Sequence, residues 1–520
     1  MVNISGSQDL SRSIWRPHLL IIFFGILKLL IHLIALKGYG YHADEIYYVE
    51  LGKEWQWGFP DISPFVTWIA HVSNLLFGSS LTGYRILPCL FSAATVAMTG
   101  YMTYFLGGKR LAIIIACSAI ICSPAFLATS YLLQPAVFDE FFWTLLSFAL
   151  IAYHKSRKTP FLWLMAVALA FGILNKYSIL LLVFSALIAW LICGQRTNVA
   201  HWKKLLPPAL VFLLILAPHI VWQIEQGFPI FKFTAEVAKT NFDVDLSDYL
   251  LQLFFFHGAS VAVWSAGLIF LITNPKSKEY LFLGIASLMV IAVLSVLKGK
   301  LYYGLGLFPL LFANGGYCWE RMLNHFKTAY QFTFTGMLYV FALLSLPVVI
   351  PIFSVNGNQF YLSEMVRLTG FSRPLRYEDG SYGKMPQFFA DMTDWEHLTT
   401  RVAAVSRQPG TFGKASVILT NDYAIAGALK HYGNAALPLV ISAKNSFLNQ
   451  SPKNLNQHTI IYLTKSTGPD ILLIADQVTL MDTIYSKNSH INGIRIYRLS
   501  LPSKAFKQQY ARDRLMFVKS

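Results

Sequence analysis

The chain of 520 residues is 55% hydrophobic and only 13% charged, and its mean hydropathy is +0.50. A soluble globular domain usually carries about 25% charged residues, so this composition excludes an ordinary soluble protein and indicates a polytopic membrane protein. The formal net charge of +16 does not indicate a nucleic-acid partner, because no DNA- or RNA-binding motif accompanies it. Much of the excess of basic residues lies in short loops, where it would set the orientation in the membrane, and the basic part from residue 354 onward suits a surface near anionic lipid headgroups.

Apolar runs of about the length that crosses a bilayer recur through the first two thirds of the chain. The first run follows Arg12 and Arg16 and lacks a small-residue cleavage site, which predicts a retained anchor. Residues 160–193 form either two short spans or one long bent helix. With two spans there, about eleven transmembrane helices are predicted, at 19–36, 81–106, 111–131, 136–153, 160–174, 177–193, 205–223, 248–273, 279–297, 301–318 and 328–353.

The charges of the connecting loops predict the orientation. Basic residues such as Arg12, Lys109 and Lys276 all fall on one side, whereas the opposite side carries acidic residues in its loops. Because basic loops remain in the cytoplasm, the N-terminus is predicted to be cytoplasmic. An odd number of spans then places residues 354–520 outside.

Residues 354–520 differ from the rest of the chain in their pattern of hydrophobic residues. Short β-like runs (ASVILT, PLVIS, HTIIYLT and ILLIADQ) alternate with a helical segment, NDYAIAGALKHYG. The sequence therefore predicts a transmembrane domain at 1–353, with a first extracytoplasmic loop at about 38–80, and a small soluble C-terminal α/β domain at 354–520.

The first predicted loop contains an adjacent pair of acids, Asp44 and Glu45, within YHADEIYYVELGKEWQWGFPDISPF. Acids at this spacing suit the N-terminus of a helix or a solvated loop, and they also suit a catalytic site. On the same predicted side lie Asp139, Arg85, Lys298 and Lys300. A carboxylate there can accept a proton from a hydroxyl, and Lys or Arg can bind a phosphate, although each basic residue also suits a helix end.

These residues resemble a known family. The first-loop segment, followed by LFGSSLTGYRILP, LQPAVFDEFFW, LNKYSILL and KGKLYYGLGLFPLLFANGG, and in the tail by PQFFADMTDWEHL, NDYAIAGALKHYG and LPLVISAKNSF, is similar to bacterial glycosyltransferases of the C-type (GT-C) superfold. This group includes dolichyl-phosphate-mannose-protein mannosyltransferases (family 39), proteins with RgtA/B/C/D-like domains and the lipid A aminoarabinose transferase. The resemblance covers nearly the whole chain in the expected order.

The resemblance implies an inverting transferase that moves a sugar from a polyprenyl-phosphate donor to a lipid, glycan or protein acceptor. Asp44 then matches the general base, Glu45 positions it or binds a divalent cation, and Asp139 matches a second acid of the cavity. The same resemblance implies further roles: donor phosphate binding for Arg85, Lys298 and Lys300, and lining of the substrate cavity for Tyr47, Asp61, Tyr302 and Tyr303. One departure is KNS at 444–446, where relatives have a His in the first position.

No cofactor is firmly implied. Two neighbouring carboxylates repel, so the pair is either a tuned base or part of a site for Mg²⁺ or Mn²⁺, and two acids alone leave such a cation with too few ligands. Two other functions stay open: a transporter or flippase of polyprenyl-linked lipids, and a non-catalytic receptor on the same scaffold. The expected location is the inner (plasma) membrane of a bacterial cell.

Overall fold

The computed structural model describes residues 6–194, 202–240, 246–297, 299–408, 416–433, 437–442, 445–452, 454–455, 459–467, 471, 474–486 and 488–517. The chain forms two compact units. The first comprises Met1–Leu36, Thr82–Pro218 and Phe242–Ile352, and the second comprises Lys37–Leu81, His219–Asn241 and Phe353–Ser520. The second unit therefore contains the predicted first loop together with the C-terminal part of the chain.

The first unit is built from helices. They are α1 (Gly6–Leu33), α4 (Leu81–Phe105), α5 (Arg110–Cys122), α6 (Pro124–Thr129), α7 (Pro135–Ser156), α8 (Pro160–Asn175), α9 (Ile179–Ile192), α10 (Trp202–Glu225, as far as Pro218), α12 (Leu246–His257), α13 (Val261–Thr273), α14 (Leu281–Val296), α15 (Phe308–Leu323) and α16 (Thr328–Val349). Short 3₁₀ turns precede α13, α14 and α15, at Gly258–Ser260, Pro275–Tyr280 and Leu301–Leu307.

Six helical stretches in the described part of the chain are long and apolar enough to cross a membrane. They are Leu81–Phe105, Pro135–Ser156, Lys203–Glu225, Tyr249–Thr273, Lys278–Val296 and Thr328–Val349. Five shorter apolar helices accompany them, including Pro17–Leu33 and Arg110–Cys122. The chain is thus an α-helical integral membrane protein, and the number of eleven spans stays a prediction.

Prolines account for several helix boundaries. Pro124 begins α6 directly after α5 ends, so the predicted span 111–131 is two helices. Proline suits the first helical turn because that position needs no backbone N–H. The segment 160–193 is also two helices, α8 and α9, which are separated at Lys176. The backbone N–H of Lys176 bonds to the carbonyl of Gly172 and closes α8.

Two glycines allow α13 and α15 to pack backbone against backbone. A Cβ atom added to Gly267 would lie 2.0 Å from the carbonyl oxygen of Leu311, and one added to Gly315 would lie 1.9 Å from that of Val263. Small residues at helix contacts are typical of membrane proteins, where close packing rather than the hydrophobic effect holds helices together.

The helices of the second unit surround a small sheet. They are α2 (Ala43–Leu51), α3 (Phe65–Phe77), α11 (Pro229–Thr240), α17 (Val355–Thr369), α18 (Gln387–Ala390), α19 (Trp395–Ser406), α20 (Tyr423–Tyr432) and α21 (Lys504–Phe517). The strands are β1 (Ser416–Thr420), β2 (Leu439–Ser442), β3 (Thr459–Thr464), β4 (Ala475–Ile484) and β5 (Ile494–Pro502). The 3₁₀ turns are Arg373–Leu375 and Asn445–Gln450.

The sheet has the order β2-β1-β3-β5-β4. Strand β1 is parallel to β2 and β3, whereas β5 is antiparallel to β3 and β4. Helix α20 connects the parallel strands β1 and β2, as a crossover between parallel strands requires. This confirms a small C-terminal α/β fold. The runs ASVILT, PLVIS and HTIIYLT become strands, while β5 had no counterpart among the predicted runs.

Candidate active site

The predicted site residues fall into two groups, one in each unit. In the second unit, Asp44 and Glu45 lie in the first turn of α2. The ring Nδ1 of His42 accepts a hydrogen bond from the backbone N–H of Asp44 at 3.1 Å, and the carboxylate of Glu45 accepts from the backbone N–H of His42 at 2.9 Å. These reciprocal bonds form a capping box that satisfies donors at the helix start.

The structure therefore separates the two acids of the pair. The side chain of Glu45 is fully buried and is used by the cap, whereas that of Asp44 is 33% exposed. Both acidic side chains lie at a helix N-terminus, where the helix dipole favours negative charge. Asp44 is the member of the pair that can meet a substrate.

Asp44 contacts the C-terminal part of the chain directly. The hydroxyl of Tyr423, the first residue of α20, donates a hydrogen bond to its Oδ1 at 2.6 Å. Burial, and next the charge of Asp44, raise the pKa of Tyr423 well above its ordinary value. Tyr423 therefore remains a hydrogen-bond donor at any physiological pH.

Helices α2 and α20 pack closely because α20 has a glycine at the contact. A Cβ atom added to Gly427 would lie 2.9 Å from the Cγ2 of Ile46. A hydrogen-bond contact holds the far end of α2, where Nδ1 of His431 lies 3.1 Å from the carboxylate of Glu50. The same carboxylate pairs with Lys53 at 2.7 Å.

Tyr47 and Asp61 also lie together. The hydroxyl of Tyr47 donates to the carboxylate of Asp61 at 2.8 and 3.0 Å, and it accepts from the backbone N–H of Ser446 at 2.9 Å. The hydroxyl of Ser446 donates to the same carboxylate. Burial raises the pKa of Asp61, and it raises that of Tyr47 together with the neighbouring Asp61. Both side chains are buried, so their predicted role in lining the substrate cavity stays a prediction.

In the first unit, Asp139 lies near the start of α7 and is only 3% exposed. Its carboxylate accepts hydrogen bonds from the hydroxyl of Ser178 at 2.8 and 2.9 Å and from the indole N–H of Trp143 at 3.1 Å. Lys176 supplies a positive charge that interacts with it electrostatically. A buried carboxylate needs such partners to remain charged.

Lys176 links Asp139 to other predicted site residues. Its ammonium lies 3.7 Å from the centre of the ring of Tyr303 and 5.0 Å from that of Tyr302. A cation over an aromatic face at this distance is attracted by the π-electrons. Lys300 lies close enough to interact with Lys176 electrostatically, and it is exposed. The first unit thus brings together Asp139, Lys176, Tyr302, Tyr303 and Lys300.

Arg85 has a different environment. It is fully buried, donates to the backbone carbonyl of Leu36 at 3.1 Å and lies 5.3 Å from the ring centre of Tyr131. A guanidinium held this way is shielded from a lipid headgroup, and its role in phosphate binding stays a prediction. Lys298, the other predicted phosphate ligand, lies outside the described residues.

The acid pair does not present two carboxylates to a cation, because the carboxylate of Glu45 is buried in the capping box. In the part of the chain that the structure describes, no group of three or more His, Cys, Asp or Glu side chains is arranged to hold a metal ion. We therefore derive no chemical step through a cation.

Reasoning from the sequence missed three residues that contact the predicted site: Tyr423, Ser446 and Lys176. Each lies in a motif that carried the resemblance, namely NDYAIAGALKHYG, AKNSF and LNKYS. The motifs could therefore have indicated that these three residues lie near the predicted site. Which side chains they would touch depends on tertiary contacts between residues that are far apart in the sequence.

Comparison with known proteins agrees with this architecture. The family model of dolichyl-phosphate-mannose-protein mannosyltransferases matches residues 61–222. No protein of curated function matches the chain in sequence.

Among solved structures, the chain is similar to ArnT from Cupriavidus metallidurans in its apo state, with a TM-score of 0.60 and 14% identity over 92% of this chain and 97% of that one. The same enzyme bound to undecaprenyl phosphate gives a TM-score of 0.61 at the same identity and coverage. The arabinofuranosyltransferase AftD from Mycobacteria gives 0.49 and 14%, over 92% of this chain and 40% of that one. The two ArnT matches show that the protein has the fold of the C-type (GT-C) membrane glycosyltransferases, which confirms the fold that the sequence predicted.

Proposed function

We propose that this protein is an inverting glycosyltransferase that moves a sugar from a polyprenyl-phosphate donor to a hydroxyl-bearing acceptor. The observation that carries the proposal is Asp44, a partly exposed carboxylate held at a helix N-terminus by Tyr423, in a chain with an ArnT-like fold. The ArnT structure with undecaprenyl phosphate supports a donor of that lipid class. Lipid A or other lipopolysaccharide, an envelope glycan and a protein are all candidate acceptors.

In the proposed reaction, the acceptor oxygen attacks the anomeric carbon while the bond from that carbon to the phosphate oxygen breaks. Polyprenyl phosphate leaves with the electron pair, and Asp44 takes the proton of the acceptor hydroxyl. General-base assistance of this kind typically contributes about 10²–10⁴-fold to the rate. Orientation of the two substrates contributes roughly 7–11 kcal/mol in well-aligned cases.

The positive charge of Lys176 and Lys300 supports a role for these residues in holding the donor phosphate. A phosphate oxygen forms strong charge-assisted hydrogen bonds with such ammonium groups. We further propose that the protein resides in a bacterial inner membrane, with a cytoplasmic N-terminus and residues 354–520 on the extracytoplasmic side. The basic loops predicted on the opposite side support this orientation.

The test is mass spectrometry of glycolipids and polyprenyl-phosphate sugars from cells that lack the protein. Deletion cells are compared with cells rescued by the wild type, by Asp44→Asn or by the matched control Glu364→Gln, which changes a surface carboxylate of the same unit. We expect one glycan to lose a single sugar, and its polyprenyl-phosphate form to accumulate, in the deletion and with Asp44→Asn only.

Other outcomes would overturn the proposal. A lipid-linked precursor that redistributes between leaflets without loss of a sugar would favour a flippase. Rescue by Asp44→Asn as complete as by the wild type would remove Asp44 as the base and would favour a non-catalytic receptor.

A further inference from the structure

Asp391 holds the N-terminus of α2 from the C-terminal side of the chain, within the second unit. Its backbone carbonyl accepts a hydrogen bond from the backbone N–H of Ala43 at 2.9 Å. Its carboxylate lies 4.0 Å from Nε2 of His42. Because Nδ1 of His42 accepts from the N–H of Asp44, the proton of the His42 ring belongs on Nε2, which faces this carboxylate.

His490 connects Asp391 to the start of α20. Its Nδ1 lies 3.3 Å from the carboxylate of Asp391, and its Nε2 lies 2.9 Å from Oδ2 of Asp422. Asp422 is the N-cap of α20, and its Oδ1 accepts from the backbone N–H groups of Ala424 and Ile425 at 2.8 and 3.3 Å. An imidazole with a carboxylate at each nitrogen is arranged to donate two hydrogen bonds as an imidazolium.

The contacts close into a ring. From the backbone N–H of Asp44 they run through His42, Asp391, His490 and Asp422 to Tyr423, whose hydroxyl returns to the carboxylate of Asp44 at 2.6 Å. The 4.0 Å between His42 and Asp391 is longer than a hydrogen bond, and the bond from the N–H of Ala43 to the carbonyl of Asp391 joins the two segments there. Tyr423 and Asp422 are adjacent in the chain, so the residue that caps α20 also fixes the position of the tyrosine. We name these six residues the carboxylate ring.

We propose that Tyr423 and His490 are positioning residues that orient the carboxylate of Asp44 through the carboxylate ring. The inference rests on the proposed function in one respect, namely that Asp44 is the general base. The ring ties Asp44 to four residues of the C-terminal part and assigns that part a role in catalysis, namely to hold one oxygen of the base and the helix that carries it. A base held within a few tenths of an ångström of its productive geometry reacts far faster than a mobile one.

The hydrogen bond from Tyr423 can be tested without knowing the substrates. The purified full-length protein is treated with a water-soluble carbodiimide and an amine at fixed pH, and the labelling rate of Asp44 is followed by mass spectrometry. In Tyr423→Phe the oxygen Oδ1 loses the hydroxyl of Tyr423 as a donor, and we expect the labelling rate of Asp44 to rise roughly tenfold, as for loss of a hydrogen bond to a charged group. Tyr485→Phe, at a tyrosine that is 79% exposed, is the matched control.

His490→Gln serves as a second variant. Loss of the imidazolium removes the link between Asp391 and Asp422, and with it part of the support for the start of α2. We therefore expect faster labelling of Asp44 and faster deuterium exchange at the start of α2. The label on Glu364, which lies outside the ring in the same unit, is the internal reference and should not change. An unchanged labelling rate of Asp44 in Tyr423→Phe would overturn the proposal.

Kinetics then separate this inference from the proposed function. With the donor and acceptor found by the cell experiment, Tyr423→Phe should lower kcat roughly tenfold with little change in KM. When Tyr423→Phe is combined with Asp44→Asn, it should lower kcat no further than Asp44→Asn alone, because Tyr423 acts through Asp44. Additive losses would overturn the proposal. Faster labelling of Asp44 together with no transfer by the wild-type protein would overturn the proposed function alone.

Discussion

The chain contains the dipeptide Asp-Glu twice, once in each unit, and the two pairs have different environments. In the second unit, Glu45 is buried in a capping box while Asp44 is 33% exposed and held by a tyrosine. In the first unit, Asp139 and Glu140 are 3% and 1% exposed. The same dipeptide thus gives one partly exposed carboxylate and three buried ones.

The two pairs differ in the groups that stabilise their carboxylates. In the first unit, Asp139 interacts electrostatically with Lys176, and Glu140 with Lys28, which is itself fully buried. In the second unit, helix N-termini and a tyrosine supply the partners instead. A buried carboxyl group in apolar surroundings is stabilised by hydrogen-bond donors and nearby basic groups, whereas one at a helix N-terminus is stabilised by backbone N–H groups.

The largest expected effect concerns the buried pair Lys28 and Glu140. Lys28→Met removes the electrostatic interaction with Glu140 and the hydrogen bond from Nζ of Lys28 to the backbone carbonyl of Phe126 at 2.8 Å, while Glu140 keeps its hydrogen bond from Thr129. We expect the free energy of unfolding to fall by up to about 3–5 kcal/mol, the cost when a buried ionisable pair loses one partner. Thermal unfolding in detergent checks this, and Lys28→Met with Glu140→Gln should recover most of the loss. A single variant as stable as the wild type would contradict this dependence of Glu140 on Lys28.

Asp139→Asn should impair transfer without unfolding the first unit. The amide keeps the size of the side chain but removes the charge that interacts with Lys176, and a hydrogen bond to a charged group is worth about 1.5–3 kcal/mol. We therefore expect kcat/KM to fall about 10- to 100-fold. Steady-state kinetics of the purified enzyme check this, with Glu364→Gln as the exposed control. Equal losses in both variants would mean that the position of Asp139 has no special role.

The carboxylate ring should make the second unit sensitive to alkaline pH. Burial lowers the pKa of His490, but its hydrogen bonds to Asp391 and Asp422 outweigh burial and raise it from 6.5 to about 9. A raised pKa means that the stabilisation is fully present below pH 6.5 and is lost as the pH rises through about 9. We expect the thermal midpoint of the wild type to fall over this range relative to that of His490→Gln. Parallel pH curves for the two proteins would contradict the expectation.

The smallest effect should come from the capping box. Glu45→Ala removes an acceptor at the start of α2, and loss of a cap typically costs about 0.5–2 kcal/mol. Glu45→Gln keeps an oxygen that can accept from the N–H of His42 and should cost less. Thermal unfolding of the two variants checks this order. The reverse order would show that the charge of Glu45, rather than its hydrogen bond, stabilises the helix.

Chemistry-bearing residues can be singled out in the sequence by their type and their neighbours. Asp44 and Asp139 were noted as acids at the ends of apolar spans, whereas Tyr302 and Tyr303 were assigned only through the resemblance to the GT-C family. Their roles stay predictions. The contact of Lys176 with these tyrosines could not be predicted, because the residues are more than 120 positions apart and meet through helix packing.

Composition and local pattern alone determined that the chain is an α-helical membrane protein with a small α/β part, since hydropathy and side-chain period are local properties. The positions of the prolines, which begin helices such as α6, α7 and α8, can also be read directly from the sequence. Only the tertiary structure decided that Asp44 is partly exposed, that the other three acids of the two pairs are buried, and which residues contact them. The partners of Asp44 lie about 380 residues away at Tyr423 and, through the carboxylate ring, at His490, and contacts over such a separation depend on how α2 and α20 pack rather than on any local signal.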